Sequence, residues 1–209
     1  MYIKMSQLCA IKLLNNKSNM KKVMTAAAAL FISVASFAQT TWTLDKSHAK
    51  LGFSVTHMLI SEVEGSFRDF DAKFTASKDD LTDAKIELTA QVASVNTDNA
   101  DRDKHLQAPD YFDAAKYPTI TFKGKAFKKV GEKDYKLSGD LTMHGVTKAI
   151  ELDVVFFGTA VHPYTKKTVG GFKVTGTLNR KDFGVGADTP SAALSDEIQI
   201  RANVEFVKG

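Results

Sequence analysis

Cysteine and proline are scarce in this 209-residue chain, with one and four respectively. The one cysteine, Cys9, lies near the N-terminus, so no intramolecular disulfide can form, and Cys-ligated zinc or iron–sulfur centres are excluded. No apolar run reaches the roughly 20 residues that a spanning helix needs. Familiar catalytic signatures are absent too: there is no G-x-S-x-G elbow, H-E-x-x-H, P-loop or G-x-G-x-x-G. Net positive charge is missing where it would matter. The formal charge is +4, but Lys4, Lys12, Lys17, Lys21 and Lys22 stand without any acid in residues 1–38. Five of the 28 basic residues lie there, so residues 39–209 carry 23 against 24 acids and a formal charge of −1. A general nucleic-acid binder needs a net positive field, so no nucleic-acid partner is expected. What remains, at 44% hydrophobic and 25% charged, is the composition of an ordinary folded chain.

The N-terminal charge has its own explanation. From Met20 the chain reads Lys21-Lys22, an apolar stretch Val23–Phe37, then Ser36-Phe37-Ala38 before Gln39. A charged start, an apolar run of secretory length and small residues before a cleavage point make a signal peptide. Residues 1–19 read as an upstream extension, which leaves Met1 and Met20 both open as the start. The expected product is therefore residues 39–209, one domain, periplasmic or secreted after cleavage near Ala38/Gln39.

Alternation with period 2 dominates that domain. Leu51, Phe53, Val55 and His57 share one face, as do Ile86, Leu88, Ala90 and Val92. The pattern recurs at Ile120, Phe122, Gly124 and Ala126, and again at Tyr135, Leu137, Gly139, Leu141 and Met143. It returns in Ile150–Phe156, Phe172–Leu178 and Ile198–Phe206. Such runs predict strands with one buried and one wet face. With Thr41–Asp45 and the irregular stretch Val63–Ala76, they give eight or nine strands. Arg68-Asp69 shifts the phase as a bulge would. Turn signals fall at Ser77–Asp80, Gly131-Glu132, His144-Gly145 and His162–Lys167. Residues 98–107 and 110–116 lack alternation and predict two short helices between the fourth and fifth strands.

Eight amphipathic strands hide their apolar face by closing into a barrel, which also removes exposed edges. The fold class is thus all-β, an eight-stranded antiparallel barrel with a short helical insert. Gly124, Ala126, Gly139, Gly176, Ala90 and Ala202 fall on the predicted inner face. Two readings stay open: small residues leave room for one ligand, or they relieve curvature and face large partners. The inverted solution, an outer-membrane barrel with its apolar face to lipid, would crowd a dozen charged side chains into a narrow lumen. Their desolvation disfavours it.

The five histidines have no short-range ligand spacing, so no metal or other cofactor is expected. His57 continues an apolar face and reaches toward the interior. Asp101, Arg102, Asp103 and His105 form the most polar constellation. It is either an acid/base or anion-binding group at a cavity mouth, or simply a helix N-terminus with Arg102 in a local ion pair. Tyr111 and Phe112 would then pack the insert onto the barrel or cover its entrance.

Several segments together resemble a known family. Trp42-Thr-Leu-Asp45 with His48, then Phe53-Ser-Val-Thr-His57, is similar to the opening of the YceI family of exported lipid- and polyisoprenoid-binding proteins. So are Asn99 through Arg102-Asp103-Lys-His105-Leu106 to Tyr111-Phe112-Asp113, and Tyr117-Pro118-Thr-Ile-Thr-Phe122. Gly139–Lys148 and Asn179-Arg180-Lys-Asp182-Phe183-Gly184 match two further signatures. The resemblance runs from Trp42 to about Val207 and implies a lipocalin-like barrel holding an isoprenoid chain, with no catalytic role carried over.

On that reading Leu51, Phe53, Val55, Phe112, Phe122, Leu137, Leu141, Phe172 and Val174 are the expected contacts for an isoprenoid or other long-chain lipid. His57, Arg102 and His105 are the candidates for its head group. Membrane contact is at most transient, and a homodimer is left open. Two other classes stand beside this one: an exported enzyme acting on a lipid-like substrate, and a structural or stress-protective barrel with a filled core.

Overall fold

The computed structural model describes residues 39–209. The expected signal peptide, its upstream extension and Cys9 lie outside the described residues. Ten strands follow in order: β1 (Thr40–His57), β2 (Ser61–Phe67), β3 (Phe70–Ala76), β4 (Lys85–Gln91), β5 (Val95–Asn96), β6 (Thr119–Lys129), β7 (Asp134–Met143), β8 (Val146–Val161), β9 (Thr168–Asn179) and β10 (Leu194–Lys208). One helix, α1 (Ala100–Leu106), sits between β5 and β6. Neighbouring strands pair antiparallel, and β10 returns to pair with β1 from Trp42↔Lys208 to His57↔Leu194. That last ladder closes the sheet. β2 pairs with the end of β1 and β3 with its beginning, so the two act as one wall strand. The result is a closed barrel of eight wall strands, with the two-residue β5 added beside β2. Among the described residues no helix is long and apolar enough to cross a membrane.

Four local expectations change. The separate strands 41–45 and 49–57 are one strand, whose register against β10 shifts between Leu44 and Ala49. Asp45, Ser47 and His48 interrupt the alternation there, and Asp45 accepts hydrogen bonds from the Ser47 N–H and hydroxyl across the bulge. Arg68-Asp69 is not a bulge within a strand but the break between β2 and β3. In β6 the register slips between Gly124 and Ala126, so Phe127 is buried and Ala126 leaves the inner phase. Finally, 110–116 is a set of turns rather than a second helix, because Asp113 adopts a φ of 49° and its carbonyl collects the N–H groups of Lys116 and Tyr117.

The predicted turns are present. His144-Gly145 closes the β7–β8 hairpin with both residues at positive φ, the signature of a type I′ turn. Gly145 is required twice over, since a Cβ there would collide with the Tyr117 ring.

The two ends of the barrel differ. One end carries the β1–β2 turn, the 92–118 insert, the β7–β8 turn and the 180–193 loop. The other is plugged by aromatic rings. Trp42 stacks on Phe74 at 5.3 Å, Phe74 meets the edges of Phe172 and Phe206, and Phe156 stacks on Phe172 at 4.8 Å. Beside this plug Asp83 accepts hydrogen bonds from the Ser77 hydroxyl and from the N–H groups of Ser77 and Lys78. Chiefly through the Ser77 hydroxyl, its pKa is lowered to about 2. Asp45 is likewise lowered to about 2, by the Ser47 hydroxyl first and His48 next.

Carboxylates depressed by folding stabilise fully above their unfolded pKa and lose that contribution as pH falls through the folded value. Thermal denaturation across pH should show the midpoint dropping most steeply between about pH 4 and pH 2. Asp83→Asn should flatten part of that slope, and an unchanged slope would contradict the assignment.

Candidate functional site

The barrel encloses a cavity of about 470 Å³, within the range of about 300–1,000 Å³ typical of small-molecule sites. Its lining follows from the alternation: each wall strand sends every second side chain inward. Val174, Ala202 and Leu51 form one layer across β9, β10 and β1, being register partners that all line the cavity. Phe122 and Leu141 pair across β6 and β7, and Phe74, Phe172 and Phe206 make the floor.

Polar groups are confined to the open end. There the lining includes His57 at the end of β1, Thr97, Arg102 and His105 from the insert, and Arg180 and Thr189 from the 180–193 loop. The cavity is blind, apolar in its depth and polar only at its mouth.

All twelve positions singled out from the sequence lie in this lining: Leu51, Phe53, Val55, His57, Arg102, His105, Phe112, Phe122, Leu137, Leu141, Phe172 and Val174. Phe112 is buried and meets the edge of Phe67 at 5.7 Å, which seats the insert on the barrel.

Several inner glycines turn out to face large partners. A Cβ at Gly65 would collide with the Phe53 ring, one at Gly139 with Phe122, and one at Gly176 with Leu152. In each pair the large side chain lies against the wall over a neighbouring strand's glycine, so the two readings of the small residues are compatible. Glycines take up side chains that would otherwise fill the lumen.

The polar constellation of the insert is dispersed. Asn99 caps α1, accepting from the Arg102 N–H at 3.0 Å. Asp103 accepts from both the N–H and the hydroxyl of Thr97 at 2.7 Å. Arg102 does not form the local ion pair; it donates through Nε to the Thr97 hydroxyl and through Nη2 to the Thr97 carbonyl, each at 2.7 Å. His105 pairs with Asp110 at 3.2 Å and meets Tyr111 edge-on. These groups therefore build the rim rather than converge as an acid/base centre. Among the described residues no carboxylate lies within 4 Å of the Arg102 guanidinium.

Sequence reasoning missed the most heavily bonded residue of the rim. Arg180 is 2% exposed and donates to the carbonyls of Val185, Gly186, Thr189, Leu194 and Ser195, and to Asp196. A charged residue is rarely this buried unless paired; the only signal was its place inside the Asn179–Gly184 signature.

Away from the cavity lining, Asp45, His48 and Glu205 bring potential ligand atoms within 4.8 Å of one another. Asp45 is already bonded to Ser47 and His48, and Glu205 lies 4.0 Å from the His48 ring nitrogen.

A closed antiparallel barrel with a blind apolar cavity defines the class of small-ligand-binding barrels. Within that class, this chain belongs to the YceI family: the family model for the YceI-like domain matches residues 42–206. Protein YceI of Escherichia coli is 36% identical over 183 residues, covering 87% of this chain and 94% of that protein. The solved YceI protein of Campylobacter jejuni is 38% identical, with a TM-score of 0.66, over 73% of this chain and 88% of that one. A polyisoprenoid binding domain from Saccharophagus degradans, implicated in plant cell wall breakdown, shares the fold at 17% identity, with a TM-score of 0.59 over 80% and 98% of the two chains.

Proposed function

We propose that the protein is an exported binding protein that holds an apolar lipid, of the isoprenoid class, inside its barrel for transport, storage or sequestration. The observation that carries this reading is the cavity itself, apolar throughout its depth and polar only at its mouth. Each ligand methylene moved into it from water contributes roughly 0.8 kcal/mol, offset by the entropy of straightening and immobilising the chain. Walls of Leu, Val and Phe select for girth and length. The polyisoprenoid binding domain that shares this fold supports a lipid-binding barrel. The charged n-region and apolar run before Gln39 support export to the periplasm or beyond.

Choice of head group falls to the rim. Arg102 has two of its donors on Thr97 and the rest of its guanidinium at the mouth, so it is the group placed to meet an anionic head group. His57 and His105 complete the rim as hydrogen-bonding groups. Titration with a prenyl alcohol and its diphosphate tests this. Arg102→Ala should cut the preference for the diphosphate about tenfold, the worth of a charge-assisted hydrogen bond, and leave alcohol binding unchanged. An unaltered preference would remove Arg102 from the head-group site.

A further inference from the structure

At the open end, the turn between β1 and β2 presents three consecutive apolar side chains to solvent. Met58 is 56% exposed, Leu59 72% and Ile60 83%. The backbone makes the choice of residues more telling. Met58 and Leu59 have φ of 52° and 61°, the mirror-image turn that Asn-Gly suits and bulky side chains resist. Hairpin stability therefore argues against the residues that are present.

The Met58 N–H donates to the Ala193 carbonyl at 2.9 Å, which sets residues 189–195 beside the tip. Apart from His57, neither Thr56–Ser61 nor Thr189–Ser195 contains an ionisable side chain, in a chain that is one-quarter charged. His57, Ala193 and Leu194 also line the cavity. An apolar-tipped edge thus runs into the mouth, and the charges nearest to it, Lys181 and Asp196, neutralise each other across Ser191. Exposed Glu62 and Glu64 follow on β2, which disfavours an anionic surface. The other exposed large apolar residues, Val130, Phe157, Val161 and Tyr164, lie toward the plugged end, where Lys128, Lys129, Lys133, Lys166 and Lys167 are also exposed.

We propose that the Met58–Ile60 tip inserts into the boundary between head groups and acyl chains of a zwitterionic bilayer, holding the cavity mouth against the leaflet. This rests on the lipid-binding reading and supplies its missing step. A chain entering from a docked leaflet never exposes its methylenes to water. Three side chains give weak, reversible attachment, as a single short acyl anchor does, which suits a carrier that must leave again.

The test uses flotation with phosphatidylcholine vesicles, and farnesol titration in solution without vesicles. Replacing Met58→Ser, Leu59→Ser and Ile60→Ser together should lower the vesicle-bound fraction at least tenfold and leave the farnesol Kd within twofold. Met58→Asn with Leu59→Gly should raise Tm by about 5 °C yet also weaken flotation, which separates docking from folding.

The proposal is overturned if the unaltered protein binds farnesol but does not float. Vesicle binding that ignores the tip substitutions, or that requires anionic lipid and vanishes in salt, would assign contact to the lysine-rich end instead. A dimer in sedimentation equilibrium that the triple substitution dissociates would give the tip to a second copy. Failure of farnesol binding as well as flotation would remove the lipid-binding reading and this proposal with it.

Discussion

Ala202→Trp should abolish lipid binding while leaving a folded barrel. Ala202 lies between its register partners Leu51 and Val174 in the lining layer, so a Trp side chain there crosses the lumen. Adding bulk to a filled core costs about 1–3 kcal/mol, and a cavity of about 470 Å³ absorbs part of it. Ligand affinity should fall at least 100-fold, about 2.7 kcal/mol, because the chain can no longer pass the layer. Arg201 is the outward neighbour on the same strand, and Arg201→Trp should leave binding as it was. Isothermal titration with a prenyl alcohol, alongside thermal denaturation, reads both variants. Undiminished binding in Ala202→Trp would place the ligand elsewhere on the molecule.

The second large effect concerns Arg180. Its guanidinium gathers five backbone carbonyls of the segment 185–195 and the Asp196 carboxylate. That segment is half of the rim, joined to the other half by the Gly186 N–H on the Asp110 carbonyl and by Tyr111 with Thr189. Arg180→Met keeps much of the volume and removes every donor. Asp196 keeps Lys181 and Ser191 as partners, so the loss comes chiefly from carbonyls left without donors. Each buried carbonyl left without a donor costs about 1–3 kcal/mol, so the loss of several should destabilise the protein by about 3 kcal/mol or more. Arg180→Lys should recover only a minor part, since one ammonium cannot reproduce the planar fork. Hydrogen exchange should quicken at Gly186 and Thr189, whose N–H groups donate to the Asp110 and Gly186 carbonyls. A loss below about 1 kcal/mol, the scale of a single hydrogen bond, would show that the loop holds itself.

The wall was legible because period 2 is a direct consequence of strand geometry, and nearly every alternating run became a strand. What misled were residues whose side chains serve their own backbone. Asp45 and Ser47 break the hydrophobic pattern, yet the ladder resumes beyond them because Asp45 satisfies Ser47 within the bulge. Lys125 looks like one more outward residue, and only pairing with β7 shows the slip that brings Phe127 inward. The cavity itself was half legible. Gly65 was not among the residues singled out, since the space it gives Phe53 depends on the register Phe53↔Gly65. Arg180 was quoted as part of a signature and given no role, because its partners are carbonyls, and carbonyls carry no sequence identity. His57, Arg102 and His105 all fall at the mouth, but the division of the insert's polar groups between Thr97, Asp110 and the mouth is tertiary.

The central claim is that the barrel carries an apolar chain. Its most direct test is organic extraction of the protein, expressed from its full coding sequence and purified without detergent, followed by mass spectrometry of the extract. The account predicts an isoprenoid lipid near one per chain in the unaltered protein and none in Ala202→Trp. An empty extract, together with no uptake of added farnesol or longer prenyl alcohols, would contradict it and leave the barrel without a lipid ligand.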